Sequence, residues 1–213
     1  MKAIEGIVYV VDDDVSIHEA LSSLIRLSGL QVETFASGTD FLSHQRPDMA
    51  SCLILDVCLP DESGLDLQRR LADAGDRIPI IFVTGRGDIP MSVRAMKAGA
   101  AEFLQKPFRE QDLLDAIRQA LERDEATRRR RAKLAETRIK YDTLTSRERE
   151  VLLLVIKGVL NKQAAADLGI AEITIKVHRR HIMKKMCVKS LLELVRLAEI
   201  LGLTAKAEPA LDA

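Results

Sequence analysis

Three carboxylates stand in a row, Asp12, Asp13 and Asp14, directly behind the apolar run Ile7–Val11. A fourth, Asp56, closes the apolar part of "LILDVCLPDESG"; Thr84 sits in "FVTG", and Lys106 opens "KPF". If the apolar runs were parallel neighbours in a sheet, these polar ends would meet at one edge. Two carboxylates about 4 Å apart repel by roughly 4 kcal/mol at an effective dielectric near 20, so such a cluster calls for a cation. Oxygen donors suit a hard, octahedral ion that keeps some of its waters, which means Mg²⁺ rather than a thiolate-binding metal. Asp14 has a plainer reading: the macrodipole favours an acid at the start of a helix.

The elements that would position these residues follow from periodicity. Strands are expected at Ile7–Val11, Gln31–Phe35, Cys52–Asp56, Pro79–Val83 and Ala101–Leu104. Amphipathic helices are expected between and after them, at Val15–Ser28, Gly38–Gln45, Gly64–Ala74, Ile89–Ala98 and Glu110–Arg123. Five βα units in succession predict a doubly wound, five-stranded parallel sheet of α/β class with helices on both faces. With strand order 2-1-3-4-5, strands 1 and 3 are neighbours, and ligands bind beyond the carboxyl ends of the strands. Residues 1–123 therefore read as one domain.

From Arg123 the segment "RDEATRRRRAKLAETRIKYD" has no Pro or Gly and few apolar positions, which predicts a helical linker over 124–141. Its "RRRR" run reads better as a solvated face than as a binding patch. A second, all-α four-helix domain is expected over 142–204. Thr145 and Glu148 have capping-box spacing for a helix ending near Lys157, with Gly158 as its C-terminal cap. Asn161 is expected to cap Lys162–Leu168, closed by Gly169. Further helices run from Glu172 to Met186 and from Ser190 to about Leu201. Short helices joined by short turns make a helix-turn-helix. Residues 205–213 read as a flexible tail.

The net charge of zero conceals an imbalance: residues 1–123 carry 13 basic and 20 acidic side chains, residues 124–213 carry 19 and 12. An acidic half joined to a basic half suits a metal or regulatory site on one and a polyanion on the other. Three cysteines, Cys52, Cys58 and Cys187, lack metal-ligand spacing and read as thiols of a reducing compartment. No apolar run approaches the roughly 20 residues of a spanning helix, and no signal peptide is expected. The expected location is cytoplasmic, away from membranes.

Over about residues 5–123 the ordered pieces "VVDDD", "LILDVCLPDESG", "VTGRGDIPMSVRAMKAGA" and "FLQKPF" resemble the receiver domain of two-component response regulators. The resemblance implies that Asp56 accepts a phosphoryl group from a histidine kinase. It implies that Asp13 ligates Mg²⁺ directly, Asp12 through water, with Asp56 and the backbone carbonyl of Cys58 completing the protein's share. Thr84 and Lys106 would hold the phosphoryl oxygens, and Thr84 and Phe103 would be the switch pair. Phe103 on a strand can equally be plain core. A phosphohydrolase with an Asp nucleophile is the rival reading, but such enzymes want a second acid two residues on, where this chain has Cys58. The protein is therefore not expected to be an enzyme.

"LTSREREVLLLVIKGVLNKQAAADLGIAEITIKVHRRHIMKKM" resembles the LuxR-type helix-turn-helix of FixJ/NarL regulators, over about residues 142–203. That likeness makes Glu172–Met186 the recognition helix, with Lys176, Val177 and Arg180 towards base edges. Thr174, His178, Lys184 and Lys185 become candidates for phosphate contacts. Ile173 and Ile182 are expected to pack. Ala164 stands where the family has a larger aliphatic residue, and Ala171 where a Ser or Thr cap is common, at a cost of about 1 kcal/mol. The apolar helix Ser190–Leu201 would pair two DNA-bound copies. The implied whole is a regulator in which phosphorylation favours a homodimer on promoter DNA with two half-sites. RNA polymerase is a further candidate partner.

Overall fold

The computed structural model describes residues 5–85 and 89–204, so the expected tail 205–213 lies outside the described residues. The chain divides into two compact units, Met1–Arg128 and Arg129–Ala213.

The first unit is built on β1 (Ile7–Val11), β2 (Gln31–Phe35), β3 (Ser51–Asp56), β4 (Ile80–Thr84) and β5 (Glu102–Gln105). They form one parallel sheet in the order β2-β1-β3-β4-β5. Its helices are α1 (Val15–Leu27), α2 (Gly38–Ser43), α3 (Gly64–Asp73), α4 (Ile89–Lys97) and the first part of α5 (Glu110–Asp142). Because strand side chains alternate, the central strands are apolar on both faces. Tyr9, Val11, Leu53, Leu55 and Phe82 pack under Phe41 of α2, Leu67 and Leu71 of α3 and Ala95 of α4. Val8, Val10, Cys52, Ile54, Ile81 and Val83 meet Leu21 and Ile25 of α1 and Leu113, Ile117 and Leu121 of α5.

Local chemistry sets the element ends. Asp14 is the N-cap of α1, its carboxylate accepting from Ser16 Oγ at 2.5 Å and from Ser16 N at 2.8 Å, and these hydrogen bonds, the hydroxyl's first, hold its carboxyl below the usual range. β4 starts one residue later than expected, because Pro79 has no N–H to give a ladder and contributes only its carbonyl, to Leu53 N at 2.9 Å. α2 stops at Ser43 with His44 extended, rather than reaching Gln45. α5 continues to Asp142 without a break at Arg123. Its exposed positions carry i,i+4 pairs such as Lys140 with Glu136 at 2.5 Å, and it contains no Pro or Gly. The first unit keeps residues up to Arg128 because Asp124 accepts from Ser51 N at 3.0 Å and Arg128 pairs with both Asp124 and Asp48.

The second unit holds the end of α5 with α6 (Ser146–Ile156), α7 (Asn161–Asp167), α8 (Glu172–Lys185) and α9 (Leu191–Ile200). Val151, Leu152, Val155, Ala164, Ile175, Ile182, Met186 and Leu194 make one core. The capping box of α6 forms as expected, with Thr145 N donating to Glu148 at 2.8 Å and Glu148 N to Thr145 Oγ1 at 3.2 Å. Asn161 does not cap α7: it is the first helical residue, Leu160 holds the cap position, and Asn161 Oδ1 instead accepts from Arg179 of α8 at 3.0 Å. Ile173 does not pack either, being 67 % exposed. Ala171 caps α8 without a side-chain hydrogen bond.

Gly64 begins α3 directly under the end of β3. A Cβ there would lie 2.3 Å from the backbone oxygen of Asp56 and 3.1 Å from the side chain of Leu55. Backbone cannot yield as a flexible side chain does, so Gly64→Ala is expected to cost about 1–3 kcal/mol. Amide hydrogen exchange of the peptides covering β3 and α3 should accelerate accordingly; unchanged protection would refute the clash.

Candidate functional site

The sheet order brings the polar strand ends together. Asp12, immediately after β1, and Asp56, the last residue of β3, lie on neighbouring strands. Lys106, just past β5, reaches both: its Nζ donates to Asp12 Oδ2 at 2.9 Å and to Asp56 Oδ2 at 3.3 Å. Burial alone would lower the Lys106 pKa, but the hydrogen bond and charge of Asp12, then those of Asp56, raise it above the usual lysine value. The other carboxylate oxygens are held by backbone, Asp12 Oδ1 by Asp14 N at 2.9 Å and Asp56 Oδ1 by Cys58 N at 2.9 Å. Thr84, the last residue of β4, is buried, and its carbonyl accepts from Lys106 N at 2.8 Å. Threonine and lysine are thus fixed to one another through the backbone. Cys58 bridges to Ser63 across the loop after β3, and its thiol is exposed.

The three carboxylates Asp12, Asp13 and Asp56 do not close up as a ready metal cage: among the described residues no group of three or more His, Cys, Asp or Glu side chains does so. Asp13 is exposed, and the cation between Asp12 and Asp56 is the Lys106 ammonium. The three cysteines are all free, with Cys52 deep in the core, where burial and then the charge of Asp124 push its thiol far up. Phe103 lies half-buried on β5, its ring 6.2 Å from that of Phe82, at the margin of one core layer.

On α8 the buried side is formed by Ile175 and Ile182. Lys176, Val177, Arg180 and Lys184 are exposed, Thr174 is half-buried, and His178 is half-buried with its Nδ1 enclosed and lacking a hydrogen bond. Lys176 pairs with Glu172 at 2.9 Å along the helix. Lys185 is engaged within its own unit, donating to Glu148 Oε2 at 2.7 Å and to Thr143 O at 3.1 Å. Glu148 had been legible only as a capping-box acid. That a lysine 37 residues away neutralises it has no signal in the local pattern. Arg179, which ties α8 to α7 through Asn161, was likewise missed.

Both units match known protein families. Residues 8–118 match the response regulator receiver domain, and residues 142–198 match the luxR family of bacterial regulatory proteins. The chain is 51 % identical over 201 residues to nodulation protein W of Bradyrhizobium diazoefficiens, covering 94 % of this chain and 88 % of that protein. It is 40 % identical to the transcriptional regulatory protein FixJ of Azorhizobium caulinodans, covering 92 % of each. The chain belongs to the FixJ-like response regulators. The low-resolution structure of response regulator StyR superposes with a TM-score of 0.83 at 51 % identity, covering 92 % of this chain and 98 % of that one. This response regulator therefore joins a receiver to a LuxR-type DNA-binding domain, and its relatives are transcriptional regulators. No helix among the described residues is long and apolar enough to cross a membrane.

The Glu148–Lys185 pair is expected to make the DNA-binding half lose stability in acid. Burial would raise Glu148, but the Lys185 hydrogen bond and then the Thr145 contacts hold its carboxyl below the ordinary 4.5. A depressed folded value contributes stability that is present above about pH 4.5 and lost as pH falls through the folded value. Glu148→Gln should therefore cost on the order of 1.5–3 kcal/mol at neutral pH, as a hydrogen bond to a charged group is removed. It should also flatten the acid side of the stability profile. Hydrogen exchange of the α6 and α8 peptides in the full chain, followed from pH 7 to pH 4, measures this. A variant as acid-sensitive as the wild type would contradict the assignment.

Proposed function

We propose that this regulator is switched by phosphorylation of Asp56 by a partner histidine kinase. The observation that carries the reading is the single Lys106 ammonium shared by Asp12 and Asp56 at the carboxyl edge of the sheet. In the transfer, an Asp56 carboxylate oxygen bonds to phosphorus as the P–N bond of the kinase phosphohistidine breaks. The imidazole leaves with the bonding pair and takes up a proton. Lys106 and Thr84 then hold the phosphoryl oxygens, with Thr84 and Phe103 as the switch pair. A ligand shifts a conformational equilibrium only by its differential affinity for the two states, and here the phosphoryl group favours the state that draws Thr84 inward.

The residues suit Mg²⁺. All the donors are hard oxygens, Asp12 and Asp56 already gather one positive charge, and Asp13 stands exposed beside them. Asp12, Asp13, Asp56 and the Cys58 carbonyl would hold the ion, which when bound neutralises charge on the phosphoryl oxygens. Incubation of the full chain with acetyl phosphate and Mg²⁺ should add one phosphoryl group, seen by intact mass. Asp56→Asn should add none; labelling of that variant at the wild-type level would defeat the assignment.

The working units are a receiver over 1–123, a helical linker over 124–141 and a DNA-binding domain over 142–204, acting in the cytoplasm. Phosphorylation favours a homodimer that presents two α8 helices to promoter DNA with two half-sites, where RNA polymerase is a further candidate partner. Lys176, Val177 and Arg180 face base edges, and Thr174, His178, Lys184 and Lys185 are the candidates for the phosphate backbone. Lys185 already gives two of its three donors to Glu148 and Thr143, which leaves one for a phosphate. Exposed Ile89, Val93 and Met96 on α4, and Leu191 and Leu192 on α9, support self-association. Sedimentation velocity with and without beryllofluoride should show monomer passing to dimer. An unchanged monomer at micromolar concentration would remove dimerisation from the mechanism.

A further inference from the structure

On α8 an exposed apolar stripe accompanies the basic side chains. Ile173, Val177, Arg180 and Lys184 follow one another at intervals of four, three and four residues, the spacing of one helix face. The core positions Ile175 and Ile182 define the opposite face. Ile173 is 67 % exposed and Val177 is 46 % exposed. Neither packing nor local helix chemistry accounts for Ile173. A β-branched residue is a mediocre helix former, and the first turn of a helix favours polar or acidic side chains. An aliphatic side chain also has no donor for a phosphate oxygen. In the major groove the apolar feature on a base edge is the C5-methyl group of thymine. The N-terminal residues of a recognition helix are the ones that approach base edges.

We propose that Ile173 is a specificity-determining residue that reads a thymine methyl group, one helical turn before the position faced by Val177. The neighbouring pair Glu172–Lys176 (2.9 Å) borders Ile173 in the chain, and Arg180 and Lys184 continue its stripe towards the C-terminus. Ile173 is therefore the apolar beginning of a face that continues through the base-facing Arg180 to the cation Lys184, a pattern complementary to a duplex with methyl groups and base edges in the groove and phosphates at its rim. This inference rests on the reading of α8 as the helix that enters the major groove.

The test uses the full chain, treated with beryllofluoride, to select duplexes from a random-sequence library. In the selected site each thymine is then replaced singly by deoxyuridine, which lacks only the methyl group. For wild type, one such replacement should weaken binding by roughly three- to tenfold, the scale of an apolar group of methyl size returned to water. Ile173→Ala should lose affinity for the unmodified duplex by a similar factor and be indifferent to deoxyuridine at that one position, while Val177→Ala stays sensitive there. Ile173→Val, which keeps the branch, should retain part of the effect. Because Ile173 is exposed, helix content by circular dichroism should be unchanged in both variants.

An Ile173→Ala variant with the wild-type response to deoxyuridine at every position overturns the proposal, as does a selected site with no methyl-sensitive thymine. Arg180→Ala separates the two levels. If it loses affinity and base preference while Ile173→Ala behaves as wild type, only the role of Ile173 falls. If Arg180→Ala is also without effect, the groove-entering reading of α8 falls with it.

Discussion

Lys106 Nζ sits between carboxylates from two adjacent strands, and much of the receiver's architecture follows from the need to keep it there. Asp12 and Asp56 are side by side because β1 and β3 are hydrogen-bonded neighbours. Without a cation between them their repulsion would oppose the strand pairing that places them. Lys106 comes from the far side of β4, and its backbone N–H is bound to the Thr84 carbonyl at 2.8 Å. Acid, hydroxyl and ammonium are thus referred to one rigid edge. The apolar layers above and below have no bearing on that chemistry except to make the edge immobile. Gly64 shows how close the fit is, since α3 begins against the Asp56 backbone with no room for a methyl group.

The DNA-binding half repeats the device for another purpose. Glu148 is 3 % exposed, closer to fully buried than Asp56, and Lys185 neutralises it from the end of α8. One of its oxygens also receives Thr145 N, so the carboxylate joins the start of α6 to the end of α8. Breaking such a pair leaves an uncompensated buried charge, which is why these contacts are stiff rather than merely favourable. In the receiver the ammonium is shared by two carboxylates at the carboxyl edge of the sheet, where under the proposed phosphorylation of Asp56 a phosphoryl group would compete for it. In the helical unit the ammonium is engaged within the fold, while Arg180 and Lys184 are exposed.

Within α8 the side chains that hold the helix in place and those left exposed lie on different faces. Ile175 and Ile182 anchor α8 in the core, Arg179 fixes it to α7 through Asn161, and Lys185 fixes its end to α6. On the remaining face lies the Glu172–Lys176 pair at 2.9 Å, an exposed pair whose contribution to stability is small. A DNA duplex would therefore meet a preset surface, with little ordering left to oppose binding.

The amino-acid sequence by itself determined the five βα units, their parallel order and the polar residue at the end of each relevant strand. Those features depend on local periodicity and on which side chains tolerate a strand end. It also carried the α6 capping box, because Thr145 and Glu148 are three residues apart and need nothing else to meet. Tertiary structure alone decided which cation stands between Asp12 and Asp56, for Lys106 is 94 residues from Asp12 and reaches it only across β4 and β3. It decided that Asn161 serves Arg179 rather than its own helix, and that Ile173 faces outward while Ile175 faces in. These outcomes depend on long-range packing and on helix phase against a core assembled from distant residues, and no local pattern encodes that phase.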